Sequence, residues 1–168
     1  SPSNFSNGNT TDNQGNLVTC EHGTRRVTKT DQNNVISSIT DNYDNKKLNS
    51  PNDICVHSNG TIFFTDPPYG IINSERIEGI PGKMMYGGCY VFKYDPKKKN
   101  LEAFVKDMDC PNGIALSPNE TQLFISITIL YKTENLMQTK TILYKTENRH
   151  DKKTKKKKSC DVHCGMYD

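Results

Sequence analysis

Three segments of the chain share one pattern of residues, and this internal repeat limits the possible folds more than any other feature. The segments are NGNTTDNQGNLVTC from Asn7, PNDICVHSNGTIFFTD from Pro51 and PNGIALSPNETQLFIS from Pro111. In each, an Asn followed by Gly or Asp precedes a short strand-like run, a turn and a second run. Short runs bounded by Gly, Pro, Asn and Asp are typical of β-strands, so each segment predicts a β-hairpin.

The spacing of the repeat predicts the larger architecture. The second run begins ten residues after the leading Asn in the first two segments and eleven residues after it in the third. Further strand candidates follow: RRVTKT and NVISSIT after the first segment, and CYVFKYD and LEAFVKD after the second. Four strands that recur at this interval are typical of a β-propeller blade. The sequence therefore predicts an all-β fold with about three propeller blades.

The leading asparagines have a defined place in such a fold. The first strand of each blade lines the central channel, so the turn before it lies at the rim where the blades converge. We therefore expect Asn52 and Asn112 to point at the channel axis.

Charge and hydropathy exclude two classes of partner. The net charge is +3, and six lysines lie between positions 152 and 158, while the rest of the chain is balanced. We interpret this lysine run as a solvated tail rather than as a nucleic-acid patch. No apolar run approaches the roughly 18 residues that span a bilayer. The predicted partners include neither nucleic acid nor membrane.

The cysteines indicate a reducing environment. Three of the six lie inside strand-like runs, where a buried free thiol is the simplest interpretation. We therefore expect a cytoplasmic protein. Because the sequence does not begin with Met, we also expect it to be a fragment of a longer chain. The six are Cys20, Cys55, Cys89, Cys110, Cys160 and Cys164.

Five motifs carry a family resemblance over about residues 5–126: CEHGTRRVTKTD, KKLNSPND, FTDPPYGI, VFKYDP and CPNGIALSPNE. In this order and at these distances they resemble the senescence marker protein, gluconolactonase and luciferin-regenerating-enzyme family, especially its microbial gluconolactonases. The resemblance implies a six-bladed propeller with a divalent cation, usually Ca²⁺, at one end of the channel. The expected ligands are a first-blade Glu, two Asn from middle blades and an Asp from a later PDG motif.

The resemblance assigns two of these ligands by position. Asn52 matches the Asn of the second motif and Asn112 that of the third, and Asn112 is the firmer metal ligand because the equivalent of Asn52 lies nearer the substrate in animal members. Asn7 has no fixed metal role in the family, so we interpret it as a turn residue. Asn before Gly or Asp is a common turn residue, which is the alternative for all three.

Other residues are candidates for the substrate pocket. Glu21 and His22 in CEHG, and Asp66 and Tyr69 in TDPPYG, lie at the far end of the second strand of their repeats, and Glu21 and Asp66 occupy equivalent positions. The alternative is that such residues cap strands and tie down turns.

These residue types indicate lactone hydrolysis. Amide and carboxylate oxygens suit a hard cation such as Ca²⁺, and neutral Asn ligands leave charge on the ion. That charge polarises a lactone carbonyl while a carboxylate accepts a proton from the attacking water. The predicted function is a calcium-dependent lactonase, a carboxylic-ester hydrolase that opens a sugar-type lactone. The alternative is a non-catalytic propeller fragment with at most a residual ion or partner site.

The resemblance fades beyond Ser126. The octamer TILYKTEN occurs twice, from Thr128 and from Thr141, which suggests a local duplication or a faulty gene model. We therefore divide the chain into a partial propeller (1–126), a divergent segment (127–150) and a Lys-rich tail with a degenerate blade motif (151–168).

In the tail, HCGMYD aligns with the PDG motif of the family. Cys164 then replaces the metal-binding and general-base Asp, and the first-blade Glu is absent, so two of the four expected ligands are missing. Cys160, His163 and Cys164 also resemble part of a zinc site, but no fourth ligand has suitable spacing.

Overall fold

The computed structural model describes residues 3–72, 79–131, 136–146 and 160–161. Within these ranges the regular structure is entirely β, with three four-stranded antiparallel sheets and one small hairpin. The first sheet, blade 1, has the order β1-β2-β3-β4. Its strands are β1 (Ser6–Thr11), β2 (Leu17–Glu21), β3 (Arg26–Thr30) and β4 (Ile36–Thr40), and the hairpin that follows is β5 (Asn42–Tyr43) and β6 (Lys46–Lys47).

Blades 2 and 3 repeat the same up-and-down order. The strands of blade 2 are β7 (Ile54–Val56), β8 (Ile62–Asp66), β9 (Cys89–Asp95) and β10 (Asn100–Met108). Those of blade 3 are β11 (Pro111–Leu116), β12 (Gln122–Tyr131), β13 (Leu136–Lys145) and β14 (Cys160–Asp161). The predicted four-stranded units and their strands are thereby confirmed.

The first strand of each blade lies at the centre. β7 contacts both β1 of blade 1 and β11 of blade 3. The turns at the far end of these strands also join, because Asn13 Nδ2 donates to Ser58 O at 2.6 Å and Ser58 N donates to Glu120 Oε1 at 3.0 Å. The expectation that first strands meet at a shared hub is therefore correct.

Hydrophobic cores fill the spaces between blades. Successive side chains of a strand point to opposite faces of its sheet, so β8 contributes to both neighbouring cores. Phe64 packs with Val18 of blade 1, whereas Phe63 packs with Leu123 of blade 3. All five residues of β8 are buried. Each blade therefore depends on its neighbours for burial of apolar surface.

The divergent segment continues blade 3 as far as the structure describes it. β12 passes through position 126, and β13 pairs with it in the register Ser126↔Thr141 and Ile125↔Ile142. The backbone therefore shows no break where the family resemblance fades. Residues 147–159 and 162–168 lie outside the described residues, and with them the lysine run, His163 and Cys164.

Gly8 lies where the backbones of blades 1 and 2 approach closely, so a substitution there tests this contact. A Cβ atom on Gly8 would lie 2.5 Å from Asp53 Cα and 2.6 Å from Asn52 O, both backbone atoms. We expect Gly8→Ala to lower the free energy of unfolding by about 1–3 kcal/mol, the usual cost of overpacking. Chemical denaturation measures the change. Gly87→Ala is the control, because a Cβ there meets nothing within 4 Å; equal losses in both variants would contradict the role of Gly8.

Candidate functional site

A β-bulge occurs at the same place in blades 1 and 3. Between Ser6↔Glu21 and Asn9↔Thr19, β1 advances three residues while β2 advances two, so Asn7 and Gly8 together oppose Cys20. Between Pro111↔Ile127 and Ile114↔Ile125 the third blade repeats this shift. Asn112 and Gly113 therefore oppose Ser126.

Blade 2 has the same arrangement. Asn52 N donates to Thr65 O at 2.9 Å, and Thr65 N donates to Asp53 O at 3.0 Å, so Asn52 and Asp53 both oppose Thr65. A bulge turns the side chain of the extra residue away from the regular pleat. In all three blades that residue is an asparagine.

Hydroxyl groups support two of the bulges. Thr65 Oγ1 accepts from Asp53 N at 3.1 Å, and Ser126 Oγ accepts from Gly113 N at 2.8 Å. Cys20 occupies the corresponding position in blade 1. We did not predict a role for these residues, although aligning the second runs LVTC, IFFT and LFIS places them in one column.

Hydrogen bonds hold the three bulges side by side. Gly8 N donates to Asn52 O at 2.6 Å, which joins blades 1 and 2. Thr65 Oγ1 donates to Asn112 O at 2.7 Å, which joins blades 2 and 3. Asn52 and Asn112 therefore lie on adjoining bulges at one end of the first strands, as expected for hub residues. Asn52 is 4% exposed, and Asn112 is partly buried.

Asp53, which follows Asn52 in the bulge of blade 2, binds backbone groups of blades 2 and 3. Its Oδ1 accepts from Ile54 N at 2.9 Å, and its Oδ2 accepts from Ile114 N of blade 3 at 2.7 Å. Both carboxylate oxygens thus bind backbone N–H groups.

His22 lies against two of the asparagines. It is 1% exposed, and its Nε2 is 3.3 Å from Asn7 Nδ2 and 3.4 Å from Asn52 Nδ2. A Cβ on Gly70 would lie 2.6 Å from His22 Cβ, so the glycine allows blade 2 to pack on the histidine. An unprotonated Nε2 has one lone pair and can accept from one of these amide groups, and with Asn52 Nδ2 toward the ring the Oδ1 of Asn52 is directed away from it. The turn role expected for Asn7 is wrong, because Asn7 lies within β1 and its amide contacts this ring.

Glu21 is held by its own blade. Arg26 Nε donates to its Oε2 at 2.8 Å, and Thr24 and Asn4 donate to the same oxygen. Burial raises the pKa of Glu21, but the hydrogen bonds and charge of Arg26 and the hydrogen bonds of Thr24 and Asn4 outweigh burial, so its pKa is lowered. These contacts favour the interpretation that Glu21 ties down the turn after β2, and its pocket role stays a prediction.

Asp66 is fully buried. Its Oδ2 accepts from Asn49 N at 2.7 Å and from the hydroxyl of Tyr86. Burial raises the pKa of Asp66 well above its usual range, against the opposing effects of hydrogen bonds from Asn49 and Ser50 and the charge of Arg25. The contacts again favour an anchoring role, and a pocket role for Asp66 stays a prediction.

Tyr69 connects blade 2 to the segment before Asn112. Its hydroxyl donates to Cys110 O at 3.1 Å. Two grooves lie between the outer parts of blades 1 and 2, with volumes of about 670 and 590 Å³. Residues such as Tyr94 and Lys99 line both, and neither is lined by a predicted pocket residue. The pocket role of His22 and Tyr69 therefore also stays a prediction.

Comparison with known proteins decides the family. The sequence profile of the SMP-30/gluconolactonase/LRE-like region matches residues 1–159. The chain belongs to this family. A gluconolactonase of Zymomonas mobilis subsp. mobilis is 38% identical over 122 residues, which is 72% of this chain and 33% of that protein.

Solved structures of family members and of other proteins confirm the fold. A gluconolactonase of Xanthomonas campestris is 34% identical, with a TM-score of 0.70 over 84% of this chain and 45% of its own. Virginiamycin B lyase from Staphylococcus aureus shares the fold at 12% identity, with a TM-score of 0.50 over 88% of this chain and 43% of its own. The fold is a β-propeller of the six-bladed type, with about three blades present. The chain thus spans between a third and a half of the length of these proteins.

Two further observations concern the described part of the family chain. It contains no group of three or more His, Cys, Asp and Glu side chains that could hold a metal ion. None of its residues forms a helix long and apolar enough to cross a lipid bilayer.

The lowered pKa of Glu21 predicts a pH-dependent contribution to stability. The carboxylate is favoured in the folded state, so its contribution is present above its unfolded pKa of about 4.3 and is lost as the pH falls through the lower folded value. We expect Glu21→Gln to lower the free energy of unfolding by about 1–3 kcal/mol at pH 7. Urea titrations between pH 7 and pH 3 should show this difference shrinking below about pH 4.

Glu102→Gln is the matched control for this prediction. Glu102 is 53% exposed and its Oε1 lies 3.6 Å from Lys93 Nζ, so removing its charge should have little effect. A Glu21→Gln difference that stays constant down to pH 3 would contradict the assignment.

Proposed function

We propose that this chain supplies the middle-blade part of a calcium-dependent lactonase site that opens a sugar-type lactone to its hydroxy acid. The observation that carries the proposal is the adjoining position of Asn52 and Asn112 on equivalent bulges, joined through Thr65. Similarity to gluconolactonases of Zymomonas and Xanthomonas supports the reaction class. The substrate and the metal dependence are inferences from family membership.

The donor atoms fit a hard cation in part. Calcium accepts about six to eight oxygen ligands, including amide carbonyls. Asn52 and Asn112 would each supply one amide oxygen. Asp53 and Glu21 are engaged with backbone N–H groups and with Arg26, respectively. The described residues therefore favour a partial ligand set.

When bound, the cation would polarise the lactone carbonyl and stabilise the negative charge that develops on its oxygen. The residues of this chain orient the site. The Nε2 of His22 lies 3.4 Å from Asn52 Nδ2, and His22 packs against Gly70, so the histidine positions the amide of Asn52. Thr65 fixes the backbone of Asn112. Such preorganisation lowers the cost of holding ligands in place.

A specific observation favours the alternative of a non-catalytic propeller fragment. Asp66 is fully buried and Glu21 is paired with Arg26, so neither carboxylate is placed to accept a proton from an attacking water. The flanking genomic sequence separates the two candidates. An upstream blade with a Glu and a downstream PDG motif would favour the enzyme, whereas a stop codon or no open frame would favour the fragment.

The ligand role of Asn112 can be measured in this chain. We expect Asn112→Ala to weaken Ca²⁺ binding at least tenfold in isothermal titration calorimetry, because about 1.4 kcal/mol of binding free energy corresponds to a factor of ten. Asn100→Ala is the control, since Asn100 is exposed at the start of β10. Unchanged calcium affinity in the Asn112 variant would rule out the ligand role.

The positioning role of His22 can be tested with the same titration. We expect His22→Phe to weaken Ca²⁺ binding because Asn52 loses its hydrogen-bond partner, and His22→Gln to restore part of it by offering an amide oxygen to Asn52 Nδ2. Thermal melts of both variants distinguish this effect from unfolding. Equal calcium affinity in the Phe and Gln variants, with equal melting temperatures, would argue against the positioning role.

The lactonase activity needs a longer protein for its test. When this chain is joined to flanking blades that supply the Glu and the Asp, we expect acid release from an aldonolactone at constant pH. Addition of EDTA should abolish the reaction, and Ca²⁺ should restore it. The 168-residue chain alone should show no appreciable turnover.

Two outcomes would contradict these expectations. A completed protein that is inert toward a panel of lactones would defeat the lactonase proposal. Robust turnover by the 168-residue chain would show that the ligand count is wrong.

A further inference from the structure

Two cysteines outside the asparagine cluster lie in contact. Cys89 begins β9, and Cys110 directly precedes β11. Their Sγ atoms are 3.8 Å apart, and both side chains are free thiols in partly exposed residues. Cys20, in contrast, is fully buried in the core between blades 1 and 2. Reagents in solution can therefore reach the contacting pair more readily than Cys20.

The chain path explains how the two thiols meet. β9 and β10 pair with Cys89 opposite Met108, so β10 ends beside the start of β9. The chain then turns toward blade 3, and Cys110 has a positive φ of 41° at this turn. Cys89 and Cys110 thus lie on the two sides of the crossover from the last strand of blade 2 to the first strand of blade 3.

We propose that Cys89 and Cys110 are an oxidative modification site, at which a low-molecular-weight disulfide converts the thiol pair into a reversible intramolecular disulfide. The sulfurs would need to approach from 3.8 Å to about 2.05 Å, the length of the new bond. Rotation of two partly exposed side chains can supply this movement without breaking a core.

The reaction balances as two exchange steps. One protein thiolate attacks the small disulfide, forms a mixed disulfide and releases one thiolate of the reagent. The second protein thiolate attacks the protein sulfur of that mixed disulfide, forms the Cys89–Cys110 bond and releases the second reagent thiolate. The two protein thiols lose two protons and two electrons, and the small disulfide gains them as two thiols.

The bond would act on the segment that carries Asn112. Cys110 O accepts the hydroxyl of Tyr69, and Asn112 follows two residues later. Linking Cys110 to Cys89 would restrict this crossover segment. A change in calcium binding on oxidation therefore rests on the proposed function, whereas formation of the bond does not.

The test uses the whole chain in glutathione buffers. Reduced protein is equilibrated with increasing ratios of oxidised to reduced glutathione, quenched with acid and alkylated, and then measured by intact mass and tryptic mapping. We expect loss of two hydrogens per molecule and a cross-link between the tryptic peptides 84–93 and 107–132, which contain the two cysteines. Dithiothreitol should reverse the change completely.

Variants make the assignment specific. Cys89→Ser and Cys110→Ser should each abolish the cross-link, and Cys55→Ser, the control, should leave it intact. A glutathione adduct on either cysteine without a cross-link in the wild-type protein would overturn the proposal, as would a cross-link that persists in the Cys110→Ser variant.

Calcium titration of the two wild-type forms separates this proposal from the proposed function. A cross-link with altered calcium affinity supports both the modification site and its coupling to Asn112. A cross-link with unchanged affinity supports the modification site and contradicts the coupling. Calcium binding that Asn112→Ala weakens, in a protein that forms no cross-link, overturns only the modification site.

Discussion

Each of the three bulges leaves a backbone N–H group without a partner in the regular hydrogen-bond ladder of its sheet. The partners that these N–H groups find instead determine how the blades meet at the centre of the structure. A buried N–H without a partner costs free energy comparable to a lost hydrogen bond. Gly8 N binds Asn52 O, Asp53 N binds Thr65 Oγ1, and Gly113 N binds Ser126 Oγ. Two of the three partners belong to the same blade and one belongs to its neighbour. The same hydrogen bonds therefore shape each bulge and fix where the blades meet.

This requirement also accounts for the behaviour of the acidic residues. Asp53 binds N–H groups of two blades, and Asp66 lies fully buried beneath Asn49 and Tyr86. Two strong donors make such a carboxylate a structural tie between segments of the chain. The bulge asparagines, in contrast, bring amide groups to this end of the described blades. Amide oxygens are neutral ligands that suit a hard cation such as Ca²⁺.

The sequence predicted the fold well because blade formation depends on patterns that repeat. The run IFFTD marks a strand whose two faces are both buried, and the four-strand period follows from the positions of this run and its counterparts. The site was predicted less completely. A one-residue bulge leaves no compositional mark, so Asn7 was mistaken for a turn residue although it lies in a strand. The partner of a carboxylate such as Asp66, which is Tyr86 across a loop, depends on tertiary packing that a linear pattern does not contain.

The recurrence of one bulge has a consequence for how such rings evolve. Each blade carries its bulge asparagine in the same module that carries its fold, because the position of the asparagine is set by backbone geometry within the blade. Duplication of a blade would also duplicate its bulge asparagine. The copy would then need only a substitution of that side chain to gain or lose a ligand. Point substitutions at the equivalent bulge positions could then change the chemistry of the site while the fold of the propeller is kept.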